Sequence, residues 1–424
     1  MKIFKKIKLD NGLRIILVPD EHSLATTVMV LVAAGSIYET KETNGLSHFL
    51  EHMCFKGTTK RPSNFMIASE LDGLGAEYNA FTSHENTSYY AKARNKDFDK
   101  ILDIVSDMYL NPLFDPEQIE KERGPIIEEI NMREDLLHSR VQESFLGLVY
   151  GDTPAGWKIA GPKENILSLK RDDFLKYRGS HYVAEGTLVV VAGGFESKSV
   201  EEKIKKYFES IYTGAKSSRP KTSESQEKPQ SRVDFKESDQ THLALGFRAF
   251  DLFDERRFAL EVLTNVLGGN MSSRLFQKIR TEMSAAYYVS ASADLYTDHG
   301  LFLASAGVDH KKIESVLKAI LEECRALKEK EVPQDELRRS KDNIIGHIFL
   351  SLESSDELAG FYGGQEILGV PMLTPKELSE KIEKVGAKEI QEVANAIFTN
   401  DRLNLAVIGP FKDKKFSDIL RVNG

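Results

Sequence analysis

The stretch of this chain best suited to chemistry is Gly45-Leu46-Ser47-His48-Phe49-Leu50-Glu51-His52-Met53. Two histidines stand four apart, with a glutamate directly before the second. On an α-helix, positions i, i+3 and i+4 share a face. His48 and His52 can therefore aim imidazole nitrogens at one metal ion, with Glu51 beside them. Such donors suit Zn2+ in a tetrahedral site, and a catalytic zinc keeps three protein ligands and leaves one position to water. A carboxylate next to that water can take its proton as a carbonyl is attacked. The order is H-x-x-E-H, the reverse of the commoner H-E-x-x-H. Two histidines are one ligand short, so another part of the chain must supply the third.

Glu122 and Glu129 are the candidates. They lie seven apart, two helical turns, on a segment that Asp115-Pro116 opens as a cap followed by proline. A carboxylate completes a site held by two imidazoles. A second carboxylate can hold a ligating histidine by its other N–H. Glu117, Glu120 and Glu128 on the same segment read as a solvated acidic face, and spacing alone does not choose Glu129 over Glu128. Gly124-Pro125 falls between the two candidates, and a proline inside a helix removes a hydrogen bond and clashes with the carbonyl four back. A kink or bulge is expected there.

These residues need a scaffold. Asn44 is placed to cap the motif helix and Gly57 to stop it. Leu13–Val18, after the Asp10-Asn11-Gly12 turn, and Ala25–Ala34 read as strands, as do Ala76–Thr82, Thr87–Lys92 and Leu188–Gly194. Asn64–Leu74 reads as a helix. Phe98, Ile101, Leu102, Val105, Met108 and Tyr109 recur at helical spacing, as a helix packed on a core does.

The chain has 424 residues, more than one ordinary core accommodates. Its composition, 41% hydrophobic and 29% charged, is that of a soluble globular protein. A net charge of −8 argues against nucleic-acid binding. No apolar run approaches the roughly 18 residues that span a bilayer, so no membrane association is expected. The basic start, Met1 to Lys8, lacks the apolar core of a secretory signal. The two cysteines, Cys54 and Cys324, form no disulfide framework, which fits a cytoplasmic protein. Cys54 reads as a packed core thiol.

Residues 215–230 are rich in Ser, Lys, Gln and Pro without apolar period and read as a linker. Beyond it the pattern recurs. Phe114–Ile130 laid on Val332–Ile348 without a gap pairs Ile119 with Leu337, Ile126 with Ile344, Ile127 with Ile345 and Ile130 with Ile348. The expected organisation is a duplicated domain, with a metal-binding domain at 1–214 and a second copy at 231–424. Glu129 falls opposite His347 and Glu122 opposite Ser340, and no histidine occurs in Phe258–Gly269, the counterpart of the motif helix. The second copy therefore carries no equivalent metal site.

The chain resembles the pitrilysin/insulinase family of zinc metallopeptidases, and within it the short-chain branch of the mitochondrial processing peptidase and its bacterial relatives. The resemblance rests on GLSHFLEHMCFKG (45–57), GAEYNAFTSHENTSYY (75–90), ERGPIIEEI (122–130), GDTPAGWKIAGPKEN (151–165) and LGGNMSSRLFQKIRTEMSAAYYV (267–289), in the family's order over most of the chain. It implies an α+β fold of two similar domains, each an antiparallel sheet with helices on one face. It also implies a zinc metalloendopeptidase acting on unstructured peptides or extended segments. His48, His52 and Glu129 would bind zinc, with Glu51 the general base and Glu122 the carboxylate behind the ligands. Asn79 and Ala80 match the substrate-aligning edge strand. Arg280 and Tyr287 match an Arg/Tyr pair that holds substrate and stabilises charge on the carbonyl oxygen, a role for which Tyr288 competes. Long members of the family carry these two sets in separate parts of a four-domain chain, so two copies of this chain would imitate them as a homodimer. The rival reading is a non-catalytic scaffold or partner subunit of the same fold, because the family includes inactive members. The complete H-x-x-E-H with Glu129 argues against it.

Overall fold

A computed structural model describes residues 4–422. Two compact units emerge, each built on one sheet. The first sheet contains β1 (Lys5–Lys8), β2 (Arg14–Pro19), β3 (Ala25–Val32), β4 (Glu77–Thr82), β5 (Thr87–Arg94) and β6 (Thr187–Gly193), in the order β1-β2-β6-β3-β5-β4. The second contains β7 (Gln230–Phe235), β8 (Thr241–Arg248), β9 (Ala286–Leu295), β10 (Gly300–Val308) and β11 (Leu403–Gly409), in the order β7-β11-β8-β10-β9. One parallel pair occurs in each, β2 with β6 and β11 with β7, and every other pairing is antiparallel. Without β1 the two orders superimpose strand for strand, so the fold is α+β with two similar domains.

Local sequence accounts for most elements. Gly12 takes φ +93° and Leu13 N–H donates to Asn11 Oδ1 at 3.0 Å, which makes the turn into β2. The apolar stripe of the Phe98–Leu110 helix is buried beneath β3 and β5. β1 was not expected, because Lys5-Lys6-Ile7-Lys8 lacks apolar alternation. It is an edge strand, where lysines discourage pairing with another chain.

The division into contiguous domains at 1–214 and 231–424 needs correcting. The first unit comprises 1–130, 157–220 and 349–374, and the second 131–156, 221–348 and 375–424. The helix Leu137–Tyr150 packs on β7, β8 and β11, and the helix Ser355–Ile367 packs on β2, β3, β5 and β6. Each exchanged segment follows the same repeated element, the helix Pro116–Asp135 in one copy and Gln334–Leu350 in the other. In the first unit the exchanged helix covers the sheet face opposite Phe98–Leu110. Ala359, Tyr362 and Ile367 are buried there against Ile16, Val18, Met29, Leu31, Leu188 and Val190. Central strands β3 and β6 are thereby buried on both faces, as their unbroken apolar runs require. Polar contacts fix the seat: Thr27 and Ser355 hydroxyls meet at 2.8 Å, and Lys92 Nζ bonds Asp356 at 3.0 Å.

Candidate active site

The motif helix spans Leu46–Met53. Leu46, Phe49, Leu50 and Met53 recur at i, i+3, i+4 and i+7, and all are buried in the core. That fixes the helix rotation. The expected cap, Asn44, is not the cap. Gly45 occupies that position at φ +102°, and no side chain of the capping residue bonds the helix. Glycine is needed, because a Cβ would come within 2.7 Å of the Ala160 carbonyl oxygen. The orphaned donors go to Glu39 instead. Its Oε1 accepts Ser47 N–H at 2.6 Å, and its Oε2 accepts Gly45 N–H at 2.8 Å and Asn44 Nδ2–H at 2.9 Å. A carboxylate at a helix N-terminus is favourable. Burial nevertheless outweighs these bonds and pushes its pKa up to about 7. Sequence reading missed Glu39; the available signal was an acid shortly ahead of a helix with no capping side chain.

The helix that carries the carboxylate candidates spans Pro116–Asp135, with Asp115 Oδ1 accepting Gln118 N–H at 3.1 Å. It continues through Gly124-Pro125 without a break, with Pro125 inside it. Lys121, Gly124 and Pro125 all lie on the exposed side, where water can serve the Lys121 carbonyl that loses its partner. Ile119, Ile126 and Ile130 are buried on the other side and hold the helix down. This rotation turns Glu122 and Glu129 inward and leaves Glu128 exposed.

His48, His52 and Glu129 converge, with one potential ligand atom from each lying within 4.8 Å of the others. His48 Nε2 and His52 Nε2 are 3.4 Å and 3.7 Å from the same Glu129 oxygen. Donors about 2.0–2.1 Å from a tetrahedral zinc stand about 3.4 Å apart, so this spacing fits the metal. The donor set fits as well. His52 Nδ1 lies 2.9 Å from Glu122 Oε1, which fixes Nδ1 as the protonated nitrogen and leaves the Nε2 lone pair facing Glu129. Lys56 Nζ reaches the other Glu122 oxygen at 2.6 Å. Burial raises the Glu122 carboxyl, but the bonds from His52 and Lys56 outweigh it and leave its pKa below the ordinary value. The buried His48 Nδ1 has no hydrogen-bond partner among the described residues.

Glu51 stands beside this cluster. Burial raises its pKa, against the pull of its hydrogen bond with Thr82 and of the two histidines. Thr82 Oγ1–H donates to Glu51 Oε2 at 2.5 Å. Thr82 is a second residue that sequence reading did not single out, and it ends β4, the exposed edge of the first sheet. Asn79 and Ala80 lie on this same edge strand. Asn79 Oδ1 accepts the Ala80 N–H at 2.9 Å, covering a main-chain donor at the open edge.

Arg280 and Tyr287 belong to the second unit. Arg280 lies on a π-helical segment, Phe276–Glu282, and stacks its guanidinium 5.1 Å from the Phe276 ring centroid. Tyr287 is on β9, the counterpart of β4, with 65% of its surface exposed. Tyr288 points the other way. Its hydroxyl is 3.0 Å from His242 Nδ1, and a Cβ at Gly307 would sit 2.5 Å from its ring. Of the two tyrosines, Tyr287 is the one whose phenol has no partner among the described residues.

The sequence profile of the insulinase family (peptidase family M16) matches residues 14–163, and that of the M16 inactive domain matches 168–344. An uncharacterized zinc protease of Bacillus subtilis is 33% identical over 408 residues, 96% of this chain and 98% of its own. Another from Streptomyces coelicolor is 32% identical over 97% of this chain and 91% of its own. The crystal structure of a protease from Helicobacter pylori superimposes with a TM-score of 0.88 at 24% identity, covering 96% of this chain and 99% of that one, which shows the shared fold. With its two matched domains and its H-x-x-E-H helix, the chain belongs to the insulinase (M16) peptidase family.

Proposed function

We propose that this protein is a zinc-dependent metalloendopeptidase that hydrolyses peptide bonds in unstructured peptides and extended segments. The observation that carries the reading is the convergence of His48, His52 and Glu129 beside Glu51. Zinc, when bound, supplies a Lewis acid and an acidified water. The chain's own residues do the rest. Glu51, with its raised pKa, takes a proton and passes it to the departing amine. Thr82 holds the Glu51 carboxylate in place. An extended peptide adds to the β4 edge through main-chain hydrogen bonds, displacing the Asn79 amide from Ala80 N–H. Such pairing is indifferent to most side chains, which suits unfolded substrates of mixed sequence and a processing role. Cys54 and Cys324 are both buried free thiols, in keeping with a cytoplasmic setting. Among the described residues no helix is long and apolar enough to cross a membrane.

The test combines metal analysis with turnover of a quenched peptide. His48→Ala and Glu129→Gln should lose zinc and turnover together, and Glu51→Gln should lose turnover alone. Full activity in Glu51→Gln refutes the mechanism. A zinc-free, inactive wild type would favour the scaffold reading.

The reading extends to a homodimer in which Arg280 and Tyr287 of one chain complete the site of the other. Both are exposed, and Arg280 makes no ion pair among the described residues. Mixing Glu51→Gln with Arg280→Ala should then restore about a quarter of the activity, since half the dimers are mixed and each has one intact site. No recovery after chain exchange, or a monomer in sedimentation, defeats it.

A further inference from the structure

A cleft at one end of the first sheet has no part in this chemistry. It measures about 450 Å³, and Lys8, Arg14, Glu185, Lys216, Ser217 and Ser218 line it. That volume lies within the roughly 300–1,000 Å³ of small-ligand sites. The strand register puts Thr82, Thr87, Val32 and Thr187 in one row, with Arg14 a single step further along, opposite Leu188. The cleft is thus at the same end of the sheet as Thr82, but four strands over. At a strand spacing of about 4.8 Å, that is roughly 19 Å away.

Lys216 is held in this cleft from three sides. Ser217 N–H donates to the Ser180 carbonyl at 3.0 Å and pins the backbone. The side-chain stem lies over Gly186, where a Cβ would approach its Cδ to 3.1 Å. The ammonium sits 4.0 Å from the Tyr38 ring centroid. Neither Lys216 nor Lys8 has a carboxylate partner among the described residues. Arg14 Nη1 is fixed by the Glu366 carbonyl at 3.0 Å and by its carboxylate at 3.2 Å, which Lys6 also reaches at 2.6 Å. Lys6, Lys8, Arg14, Lys216 and the neighbouring Arg219 are set against Glu185, Glu366 and Glu85, the partner of Arg219, an excess of two positive charges. Burial and the Arg219 and Arg14 charges push the Lys216 amine down to about 8 despite Glu185, as an unneutralised cation in a partly dry site requires.

We propose that this cleft binds a small divalent oxyanion of the phosphate type, held by Lys8, Arg14 and Lys216 with the hydroxyls of Ser217 and Ser218 as further donors. The charge excess matches a dianion rather than a single carboxylate, and the flanking hydroxyls serve the extra oxygens of a tetrahedral group. Lys216 and the two serines lie in the stretch that leaves the first unit, so the anion fastens that stretch to β1 and β2.

The probe is inorganic phosphate at millimolar concentration, with sodium chloride at matched ionic strength as control. Acylation of lysine amines, read by peptide mass, should show Lys216 protected about tenfold by phosphate, a difference of about 1.4 kcal/mol, and exposed Lys100 unchanged. Calorimetric titration should give binding about tenfold weaker in Lys216→Met, whose stem still packs on Gly186, and in Lys8→Met, whose site is exposed. Equal protection by chloride overturns the proposal, as does binding unaltered in both variants. Equal protection by acetate overturns the divalent assignment in favour of a carboxylate ligand.

Discussion

Replacing Glu122 with Gln probes how the chain would tune the proposed zinc. One carboxylate serves two donors, His52 Nδ1–H at 2.9 Å and Lys56 Nζ at 2.6 Å. An amide has one acceptor oxygen. If that oxygen stays on His52, the NH2 group faces the Lys56 ammonium, donor against donor. Lys56 keeps 24% of its side-chain surface exposed and can swing into water, so this is the cheaper orientation. The imidazole then keeps its tautomer but loses the negative charge behind it, which lowers its basicity toward the metal. Loss of such an outer partner costs about 10–100-fold in metal affinity, or about 1.4–2.7 kcal/mol. Competition with a chromophoric chelator measures this directly. Turnover at saturating zinc should recover most of its value, and Glu128→Gln should change nothing. Zinc affinity within about twofold of wild type would refute the role given to Glu122. A loss as complete as that of Glu129→Gln would make Glu122 a ligand and overturn the assignment.

Three further outcomes follow from the same geometry. Thr82→Val removes a hydrogen bond to a charged group, worth about 1.5–3 kcal/mol, and should lower kcat by at least about tenfold with KM and zinc content unchanged; an unaltered kcat counts against a positioning role. The Glu39 pKa rises on folding from 4.5 to about 7, so its stabilising contribution is complete below 4.5 and is lost as pH rises through 7. Over that window wild type should lose about 3 kcal/mol relative to Glu39→Gln in denaturant titrations, and parallel pH profiles would contradict the shift. Burial pushes the Cys54 thiol up to about 12, against a contact with Tyr89, so alkylating reagents should spare it in the folded protein and label it only on unfolding; rapid native labelling would show the site to be open.

The sequence alone carried the ligand pattern because it is local. His48, Glu51 and His52 fall on one helix whose rotation Leu46, Phe49, Leu50 and Met53 already dictate. The duplication was legible for the same reason: matched apolar positions over one helix preserve their period wherever the helix packs. The choice between Glu128 and Glu129 was not local. Adjacent helical residues differ by about 100° in direction, and burial of Ile119, Ile126 and Ile130 against the core decided which one turned inward. Pro125 was tolerated because tertiary packing put it on the exposed side. Glu39 caps a helix across a loop, and Thr82 reaches Glu51 across 31 residues, separations at which no periodicity connects two side chains. The exchange of 131–156 and 349–374 is the extreme case. Each segment reads as an ordinary amphipathic stretch after the same repeated helix, and only burial against a sheet distant in the chain shows which core it completes. Spacing along the chain thus determined which residues could bind a metal, and packing between distant segments determined which of them converge and what holds them.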